Sequence, residues 1–453
     1  MAETVDVVVI GLGPGGEEVA GRLAEAGLEV IGVERELVGG ECPYWGCVPS
    51  KMMIRAANLL AEARRIPGMA GDVDVRPDYT PVAQRIRDEA TDDWDDTVAV
   101  DRLVGKGGRF VRGSARITGP SEVAVGDEVF AARRGIVVAT GTIPSVPPVE
   151  GLPATPYWTN HDAIEAKEPP ASLLVLGGGA VGLELAQSFA RFGTSVTVVE
   201  AAPRLLPMEE PEAGALLADV LTREGLTIRT RASVASAHHD GEWFTLTVDG
   251  EPLYADELLV ATGRRAQLAE LGLDTVGIDP TRRWLDTDER QRAGDGIWAV
   301  GDITGKGAFT HVAMYQAAIA VRAILGQDGT PADYRAVPRV TFTDPEIGAV
   351  GLTEAQAREA GLSVGTGLAQ LPSSARGWIH KAGNEGFIKL VQDAGRGVLV
   401  GATSAGPAGG EVLGALAVAV HARVPTATLA DMIYAYPTFH RAIEDALRDL
   451  HRE

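Results

Sequence analysis

One strand–loop–helix–strand unit occurs twice in this sequence, and it limits the possible folds more than any other feature. In the first copy a predicted buried strand at residues 5–10 leads into a glycine-rich loop, a helical stretch and a second strand that ends at Glu34. In the second copy residues 173–176 begin the same pattern, which ends at Glu200. The closing acid follows the first glycine at the same spacing in both copies. We therefore predict two βαβ units with parallel strands.

Each glycine-rich loop has the composition of a phosphate-binding turn. The first glycine allows a tight turn, the second lets a pyrophosphate approach the backbone, and the third lets the helix lie close to the strand. The helix N-terminus binds the phosphates, and the closing acid accepts hydrogen bonds from a ribose. A single fingerprint is weak evidence, but two complete copies strongly predict two dinucleotide sites. The glycines are Gly11, Gly13 and Gly16 in the first copy and Gly177, Gly179 and Gly182 in the second.

The bulk composition limits the partners of the chain. With 453 residues it is long enough for two or three domains, and its formal net charge of −21 disfavours nucleic acids and anionic membranes as partners. No apolar run approaches the ~20 residues of a membrane-spanning helix, and the N-terminal segment lacks the basic start and long apolar core of a secretory signal. We therefore expect a cytoplasmic protein.

The only two cysteines, Cys42 and Cys47, lie five positions apart. In a reducing compartment such a local pair is typical of a catalytic or metal-binding site, but two thiols without clustered histidines cannot form a four-ligand zinc site, so no metal is expected. In a regular helix the two Cα atoms would be ~8–9 Å apart, whereas a disulfide needs less than ~7 Å. The pair can close only if the backbone is distorted, for which Pro43, Gly46 and Pro49 supply reasons.

The surroundings of Cys47 favour a reactive thiol. It comes just before a predicted helical run at residues 50–64, which carries Lys51 in its first turn. The helix N-terminus and this cation would stabilise a thiolate. The alternative is a pair of inert, buried cysteines, but glycines, prolines and a cation rarely cluster around structural cysteines.

The segment 39–51 begins with Gly-Gly-Glu, continues with two cysteines that have four residues between them, and ends in Val-Pro-Ser-Lys. It resembles the active-site motif of the pyridine nucleotide–disulfide oxidoreductases. The resemblance covers essentially the whole chain and includes five motifs in the right order. It implies an α/β fold with two Rossmann-like dinucleotide-binding domains and a C-terminal α+β dimerisation domain. The boundaries that we predict are an FAD-binding domain at 1–148 that returns at 265–336, an NAD(P)-binding domain at 149–264 and a dimerisation domain at 337–453.

The resemblance also implies two cofactors, FAD and NAD(P)H. The residues implied for FAD are Gly11, Gly13, Gly16 and Glu34 at its ADP half and Asp302 at its ribityl chain. Those implied for the nicotinamide nucleotide are Gly177, Gly179, Gly182 and Glu200. Further cofactor-binding positions are Gly40, Gly141 and Gly263. Glu200 favours the free 2′-hydroxyl of NADH and repels the 2′-phosphate of NADPH. Arg204 lies four residues on and could soften this preference, but no pair of basic residues ends the strand, so NADH is favoured.

The catalytic roles follow from the same resemblance. Cys47 would face the flavin ring, Cys42 would be the exchanging thiol, and Lys51 would pair with Glu184 beside the flavin. The implied enzyme passes electrons from NAD(P)H through FAD and the Cys42–Cys47 disulfide to a small-molecule, disulfide-type acceptor. It would be a homodimer with its active site shared between the subunits.

The C-terminal segment departs from the pattern of the family. Members that use a dithiol have a His-Pro-Thr sequence followed by a Glu, and the His, reaching in from the other subunit, moves protons for the dithiol. Here Tyr436 stands at the His position and Arg441 at the Glu position. One interpretation is a displaced pair, His440 and Glu444, on a helix that starts at Pro437, with Tyr436 as an acid. The other is that His440 is an ordinary surface residue and the general base is absent.

Three functions remain open from the sequence. The intact dithiol favours a disulfide reductase. The altered C-terminal segment favours a quinone or diaphorase-type reductase that uses the flavin edge. A flavin-based redox sensor is the third, and no feature of the sequence requires it. Mercury reduction is disfavoured because the sequence has no second cysteine pair near its C-terminus.

Overall fold

The computed structural model describes residues 2–450 of the chain. Within this range the strands are β1 (Glu3–Ile10), β2 (Val30–Glu34), β3 (Arg109–Arg112), β4 (Ala115–Gly119), β5 (Glu122–Val125), β6 (Glu128–Val138), β7 (Ile143–Pro144), β8 (Ser172–Leu176), β9 (Ser195–Glu200), β10 (Thr227–Thr230), β11 (Val234–His239), β12 (Phe244–Val248), β13 (Glu251–Ala255), β14 (Glu257–Val260), β15 (Arg264–Arg265), β16 (Arg292–Gly294), β17 (Ile297–Ala299), β18 (Pro338–Thr341), β19 (Glu346–Gly351), β20 (Val364–Gln370), β21 (Phe387–Asp393) and β22 (Val398–Gly406).

The α-helices in the same range are α1 (Pro14–Glu25), α2 (Glu41–Tyr44), α3 (Cys47–Arg64), α4 (Thr80–Arg85), α5 (Thr97–Gly105), α6 (Asn160–Glu165), α7 (Ala180–Arg191), α8 (Pro211–Arg223), α9 (Thr310–Ile324), α10 (Glu354–Glu359), α11 (Ala375–His380), α12 (Gly409–His421), α13 (Thr426–Ala430) and α14 (Ala442–Leu450). No helix among residues 2–450 is both long and apolar enough to cross a membrane.

The chain forms two compact units, each assembled from separate stretches of sequence. The first comprises Met1–Pro49, Gln84–Ser145 and Gly263–Tyr334. The second comprises Ser50–Ala83, Val146–Thr262 and Arg335–Glu453. The finer division into four domain segments given above stays a prediction.

The first unit contains a sheet with the order β16-β17-β6-β1-β2-β3, in which β17, β6, β1, β2 and β3 run parallel. Alternate residues of β1 enter two different hydrophobic clusters. Val7 and Val9 pack with residues of α1 and α9, whereas Val8 and Ile10 pack with residues of β4, β5 and β6. Because a parallel strand of this kind is covered on both faces, its last four residues, Val7 to Ile10, are all apolar and do not alternate with polar residues.

The second unit contains a second parallel sheet, β10-β9-β8-β14, and the antiparallel sheet β11-β12-β13. Its C-terminal part is a five-stranded antiparallel sheet, β18-β19-β22-β21-β20, whose residues share a hydrophobic cluster with α12 and α14. Two βαβ units with parallel strands and an α+β C-terminal part are therefore present, and the predicted fold class is confirmed.

A buried ionic cluster joins several elements of the second unit. Arg191 on α7 is only 3% exposed. Its guanidinium donates hydrogen bonds to Glu224 at 2.6 Å, to Asp344 at 2.8 Å and to the side-chain oxygen of Asn58 at 2.5 Å. Gln187, one turn earlier, donates its side-chain amide to the Asp344 carbonyl oxygen and accepts from the Asp344 N–H, both at 2.8 Å. Loss of Arg191 would remove a buried cation from the partly exposed Glu224 and from Asp344, which would keep Arg65 at 2.7 Å.

Replacing Arg191 with Met should therefore lower the free energy of unfolding by about 3–5 kcal/mol, since Glu224 and Asp344 lose this cation. The matched control is Arg85→Met, which removes an exposed pair with Glu89 on the helix surface and should cost less than about 1 kcal/mol. Thermal unfolding of both variants, followed by circular dichroism, measures the difference. Equal midpoints in the two variants would show that the cluster does not stabilise the fold.

Candidate active site

The two cysteines lie at a break between two helices. Cys42 is on the one-turn helix α2, which ends at Tyr44, and Cys47 is the first residue of α3. The predicted distortion between them is therefore confirmed, although the second helix begins at Cys47 and not at Ser50 as expected. A Cβ at Gly46 would lie 3.0 Å from the carbonyl oxygen of Glu41, so the two ends of the break pack closely.

The side chains of the two cysteines are hydrogen-bonded to each other, and no disulfide joins them. A hydrogen bond with Cys47 and burial raise the pKa of Cys42, whereas a hydrogen bond with Thr310 lowers it. Thr310 Oγ1 also lies 3.4 Å from Cys47 Sγ, so one hydroxyl contacts both sulfurs. This arrangement can close to a disulfide and can stabilise a thiolate when it opens.

Sequence reasoning did not identify Thr310 as a functional residue. It is the first residue of α9, and it lies 263 positions from Cys47 along the chain. A polar residue at the start of a helix was the available signal, but such residues are common at helix starts for capping alone.

The first glycine-rich loop leaves open space where a pyrophosphate would lie. Gly11 has φ +89°, and a Cβ there would overlap the carbonyl group of Ala139. A Cβ at Gly16 would overlap the carbonyl oxygen of Gly11, whereas one at Gly13 would meet nothing within 4 Å. Glycine is thus required for the turn and for close packing of α1, and the middle position faces open space at the helix N-terminus. These residues fit the ADP half of FAD.

The second loop repeats this geometry. Gly177 has φ +114°, and a Cβ there would overlap the carbonyl oxygen of Ala261. A Cβ at Gly182 would overlap the carbonyl oxygen of Gly177, and one at Gly179 would again meet nothing within 4 Å. This loop therefore fits a second dinucleotide.

The two closing acids hold the loops that they follow. Glu34 accepts a hydrogen bond from the N–H of Leu12 at 2.8 Å and from the N–H two residues after itself at 2.9 Å. Glu200 accepts from the N–H of Gly178 and from the N–H two residues after itself, both at 2.6 Å. Carboxylate oxygens have further lone pairs, so each acid can orient its loop and still accept a hydrogen bond from a ribose hydroxyl.

The other predicted FAD residues lie in the first unit as well. Asp302 begins a short 3₁₀ turn and accepts a hydrogen bond from Thr142 Oγ1 at 3.2 Å. Burial raises the pKa of Asp302, and the nearby Arg264 lowers it. A Cβ at Gly40 would lie 2.9 Å from the Cα atom of Gly13, so this residue packs against the first loop. Two more predicted positions have positive φ and open space beside them, Gly141 and Gly263.

The structure brings together Lys51 and Glu184, which the resemblance paired. Lys51 Nζ lies 2.8 Å from Glu184 Oε2, and Glu184 is 6% exposed. The other oxygen of Glu184 accepts a hydrogen bond from the N–H of Phe342 at 2.8 Å, and Lys51 Nζ lies 4.6 Å from the centroid of the Phe342 ring. The ammonium is therefore fixed by an ion pair and an aromatic face. Its role beside a flavin stays a prediction.

The predicted helix from Pro437 is wrong, because α14 begins at Ala442. Glu444 forms ion pairs with Arg441 at 3.1 Å and with Arg448. These arginines lie three and four positions away on either side, the spacing at which side chains meet on a helix surface.

The displaced His–Glu pair is therefore not formed. Within residues 2–450 no hydrogen bond or ion pair joins His440 to Glu444, and the His440 ring instead lies 6.2 Å from the ring of Tyr434. Tyr436, at the position of the family His, is 68% exposed. The second interpretation, an absent general base, fits the structure of this segment better.

Comparison with known proteins agrees with this geometry. Residues 5–317 match the family described as pyridine nucleotide-disulphide oxidoreductase, and residues 337–447 match its dimerisation domain. Dihydrolipoyl dehydrogenase of Chlorobaculum tepidum is 35% identical over 99% of this chain and 97% of its own length, and mercuric reductase of Streptomyces lividans is 35% identical over 97% and 94%. The solved structure of the HOCl-induced flavoprotein disulfide reductase RclA from Escherichia coli superposes with a TM-score of 0.86 at 27% identity and covers 98% of this chain and 99% of that one.

The chain belongs to the pyridine nucleotide–disulphide oxidoreductase family. It is an FAD-dependent enzyme that uses NAD(P)H, and its dimerisation domain supports a homodimer. The two predicted cofactors and the predicted class of enzyme are thereby confirmed.

Two glycine substitutions separate folding from cofactor binding in the first loop. Gly16→Ala should lower the stability of the apoprotein by about 1–3 kcal/mol, because its Cβ overlaps backbone. Gly13→Ala should leave the apoprotein as stable as wild type, yet weaken FAD binding, because its Cβ enters the open space of the loop. Denaturant unfolding and FAD titration measure the two effects. Undiminished FAD affinity in Gly13→Ala would show that the pyrophosphate lies elsewhere.

Proposed function

We propose that this enzyme works in the reductive direction, from NADH to a small disulfide, with Cys42 and Cys47 as its redox pair. The observation that carries the proposal is the contact between the two thiols at the start of α3, with Thr310 Oγ1 beside both. When bound, FAD would accept hydride from the nicotinamide and pass the electrons on. The net reaction is NADH + H⁺ + RSSR → NAD⁺ + 2 RSH.

The dithiol carries the second half of this reaction. Cys42 attacks one sulfur of the acceptor, and the S–S bond of the acceptor breaks and releases one thiol. Cys47 then attacks the mixed disulfide and releases the second thiol as the Cys42–Cys47 bond forms. The helix N-terminus at Cys47 and the Thr310 hydroxyl favour negative charge on the sulfurs.

The preferred direction rests on Tyr436. Reduction of a disulfide needs a proton for each leaving thiolate, and a phenol can donate one. Oxidation of a dithiol needs a base to remove protons, for which a phenol is poor and an imidazole is well suited. Tyr436 at the position of the family His therefore offers a proton donor to the leaving thiolate, which suits an enzyme that works as a disulfide reductase. Its 68% exposure in the single chain is compatible with a place at a subunit interface.

The choice of NADH rests on Glu200 and Arg204. The Glu200 carboxylate closes the second loop, where it would meet the 2′-position of the ribose. Arg204 donates to the carbonyl oxygens of Leu206 at 2.7 Å and Pro207 at 2.8 Å, so its guanidinium is already engaged by its own turn. This supports NADH over NADPH.

The remaining parts of the proposal concern the setting of the enzyme. We propose that the active site of the homodimer is shared, with Tyr436 supplied by the second subunit. A cytoplasmic location is also proposed, because a dithiol without structural disulfides suits a reducing compartment.

Cys47→Ser tests the dithiol route. It should abolish NADH-dependent reduction of small disulfides such as lipoamide, because the mixed disulfide at Cys42 can no longer be resolved. Anaerobic NADH should expose two thiols to maleimide in the oxidised wild-type enzyme and no additional thiol in the variant. FAD content and NADH–ferricyanide activity of the variant serve as the control for folding. Unimpaired disulfide turnover in Cys47→Ser contradicts the proposal.

Tyr436→His tests the direction. Supplying an imidazole should raise the rate of dithiol oxidation with NAD⁺ at neutral pH by ~10–100-fold, since a positioned general base commonly contributes that much or more. Tyr436→Phe is the matched variant; it removes the phenolic proton donor and should slow disulfide reduction, and dithiol oxidation with it, because the two directions share one transition state. The role of Tyr436 is refuted if the Phe variant reduces disulfides at the rate of wild type.

The second candidate is a quinone or diaphorase-type reductase. It is favoured by the same segment, because Glu444 forms an ion pair with Arg441 and, among residues 2–450, is not paired with His440. Quinone turnover that survives in Cys47→Ser, with no disulfide reduced by the wild type, would favour this candidate. Mercury reduction is not proposed, although one relative is a mercuric reductase, because Cys42 and Cys47 are the only cysteines in the sequence.

A further inference from the structure

The residue before the exchanging thiol is held by an arginine from a distant part of the chain. Glu41 is the first residue of α2 and directly precedes Cys42. Its Oε1 lies 2.9 Å from Arg264 Nη2, and the two side chains are 37% and 22% exposed. Arg264 begins the two-residue strand β15, which directly follows the predicted turn at Gly263.

Arg264 is itself held by Thr142. Its Nε donates to Thr142 Oγ1 at 2.9 Å, and its Nη2 donates to the Thr142 carbonyl oxygen at 2.7 Å. Thr142 is 7% exposed and donates its hydroxyl to Asp302 at 3.2 Å. The guanidinium is planar and its donors are rigidly oriented, so Thr142 determines where Arg264 meets Glu41.

Helix α2 depends on contacts of this kind. It is one turn long and contains a proline, so its own hydrogen bonds cannot hold it: a helix this short is unstable in isolation. At its C-terminal end Tyr44 is buried and donates its hydroxyl to the Val38 carbonyl oxygen at 3.1 Å. At its N-terminal end, next to Cys42, Glu41 forms its ion pair with Arg264.

We propose that Arg264 and Glu41 are positioning residues, which hold Cys42 against Cys47 and thereby favour the disulfide over the dithiol. The inference rests on the redox role proposed above for the two cysteines. A disulfide forms only if the two Cα atoms stay within ~7 Å with the side chains facing each other. When the ion pair holds α2 in place, α2 loses less conformational entropy as the disulfide forms. The ion pair therefore stabilises the oxidised form relative to the reduced one.

The test measures the Cys42–Cys47 equilibrium in the holoenzyme. Wild type, Glu41→Gln and Arg264→Met are equilibrated with oxidised and reduced dithiothreitol, acid-quenched and alkylated with a maleimide that shifts mobility on a gel. Each substitution should lower the equilibrium constant for disulfide formation about tenfold, which moves the midpoint ~30 mV towards more oxidising values for this two-electron couple. Arg264→Lys keeps the positive charge but loses the paired N–H donors of the guanidinium, so its midpoint should lie between those of wild type and Arg264→Met.

Glu41→Gln and Arg264→Met also distinguish a positional role of the ion pair from an electrostatic one. Glu41→Gln removes a negative charge beside the thiols, and Arg264→Met removes a positive one. An electrostatic role would therefore move the midpoint in opposite directions, whereas a positional role moves it the same way in both. Opposite shifts would overturn the proposal, and so would two midpoints equal to that of wild type.

Arg265→Met is the matched control, because Arg265 is the exposed next residue of β15. It should leave the midpoint unchanged, and a shift equal to that of Arg264→Met would overturn the proposal by showing a general effect of charge or strand stability. FAD content and circular dichroism verify that each variant is folded. If the wild-type cysteines form no disulfide in any buffer, the proposed function itself fails, an outcome distinct from an unshifted midpoint.

Discussion

Close contact between helix and strand in the two glycine-rich loops is the constraint on which the rest of the structure depends. In the first loop Gly16 lies so near the carbonyl oxygen of Gly11 that no Cβ would fit, and Gly182 lies in the same way against Gly177. Because the first turn of the helix packs against the end of the strand, the free N–H groups of that turn point towards the open side of the loop, where the middle glycine leaves space. The same contact that completes the core therefore prepares each phosphate site.

This constraint explains why much of the fold could be predicted. The glycine spacing, the apolar strands and the closing acids act over about twenty-five residues, and local interactions of this range are visible in a sequence. The strand β1 illustrates the point: its continuous apolar run indicates burial on both faces, and its alternate residues do enter two separate clusters. The pairing of Lys51 with Glu184, by contrast, came from the resemblance to a family and not from any local pattern.

The parts that could not be predicted depend on contacts between distant residues or on competition between near ones. Thr310 reaches Cys47 across 263 positions, and Arg264 reaches Thr142 across 122. Such contacts leave no periodic trace in the sequence. The interpretation that paired His440 with Glu444 was wrong for the second reason. The spacing allowed this pair, but Arg441 and Arg448 lie at equally good spacing, are always charged, and form ion pairs with the Glu444 carboxylate.

The loss of the His–Glu pair changes what the dithiol needs from its surroundings. A base that accepts protons from a dithiol must be unprotonated at working pH, and the segment around Tyr436 offers a phenol and an arginine-bound carboxylate in its place. Stabilisation of a thiolate then rests more on groups that donate hydrogen bonds or positive potential to sulfur, among them the Thr310 hydroxyl and the N-terminus of α3. Both act without exchanging a proton. A phenol that donates protons to leaving thiolates suits such a dithiol, so the departure in the C-terminal segment and the groups around the cysteines both fit an enzyme that reduces its acceptor.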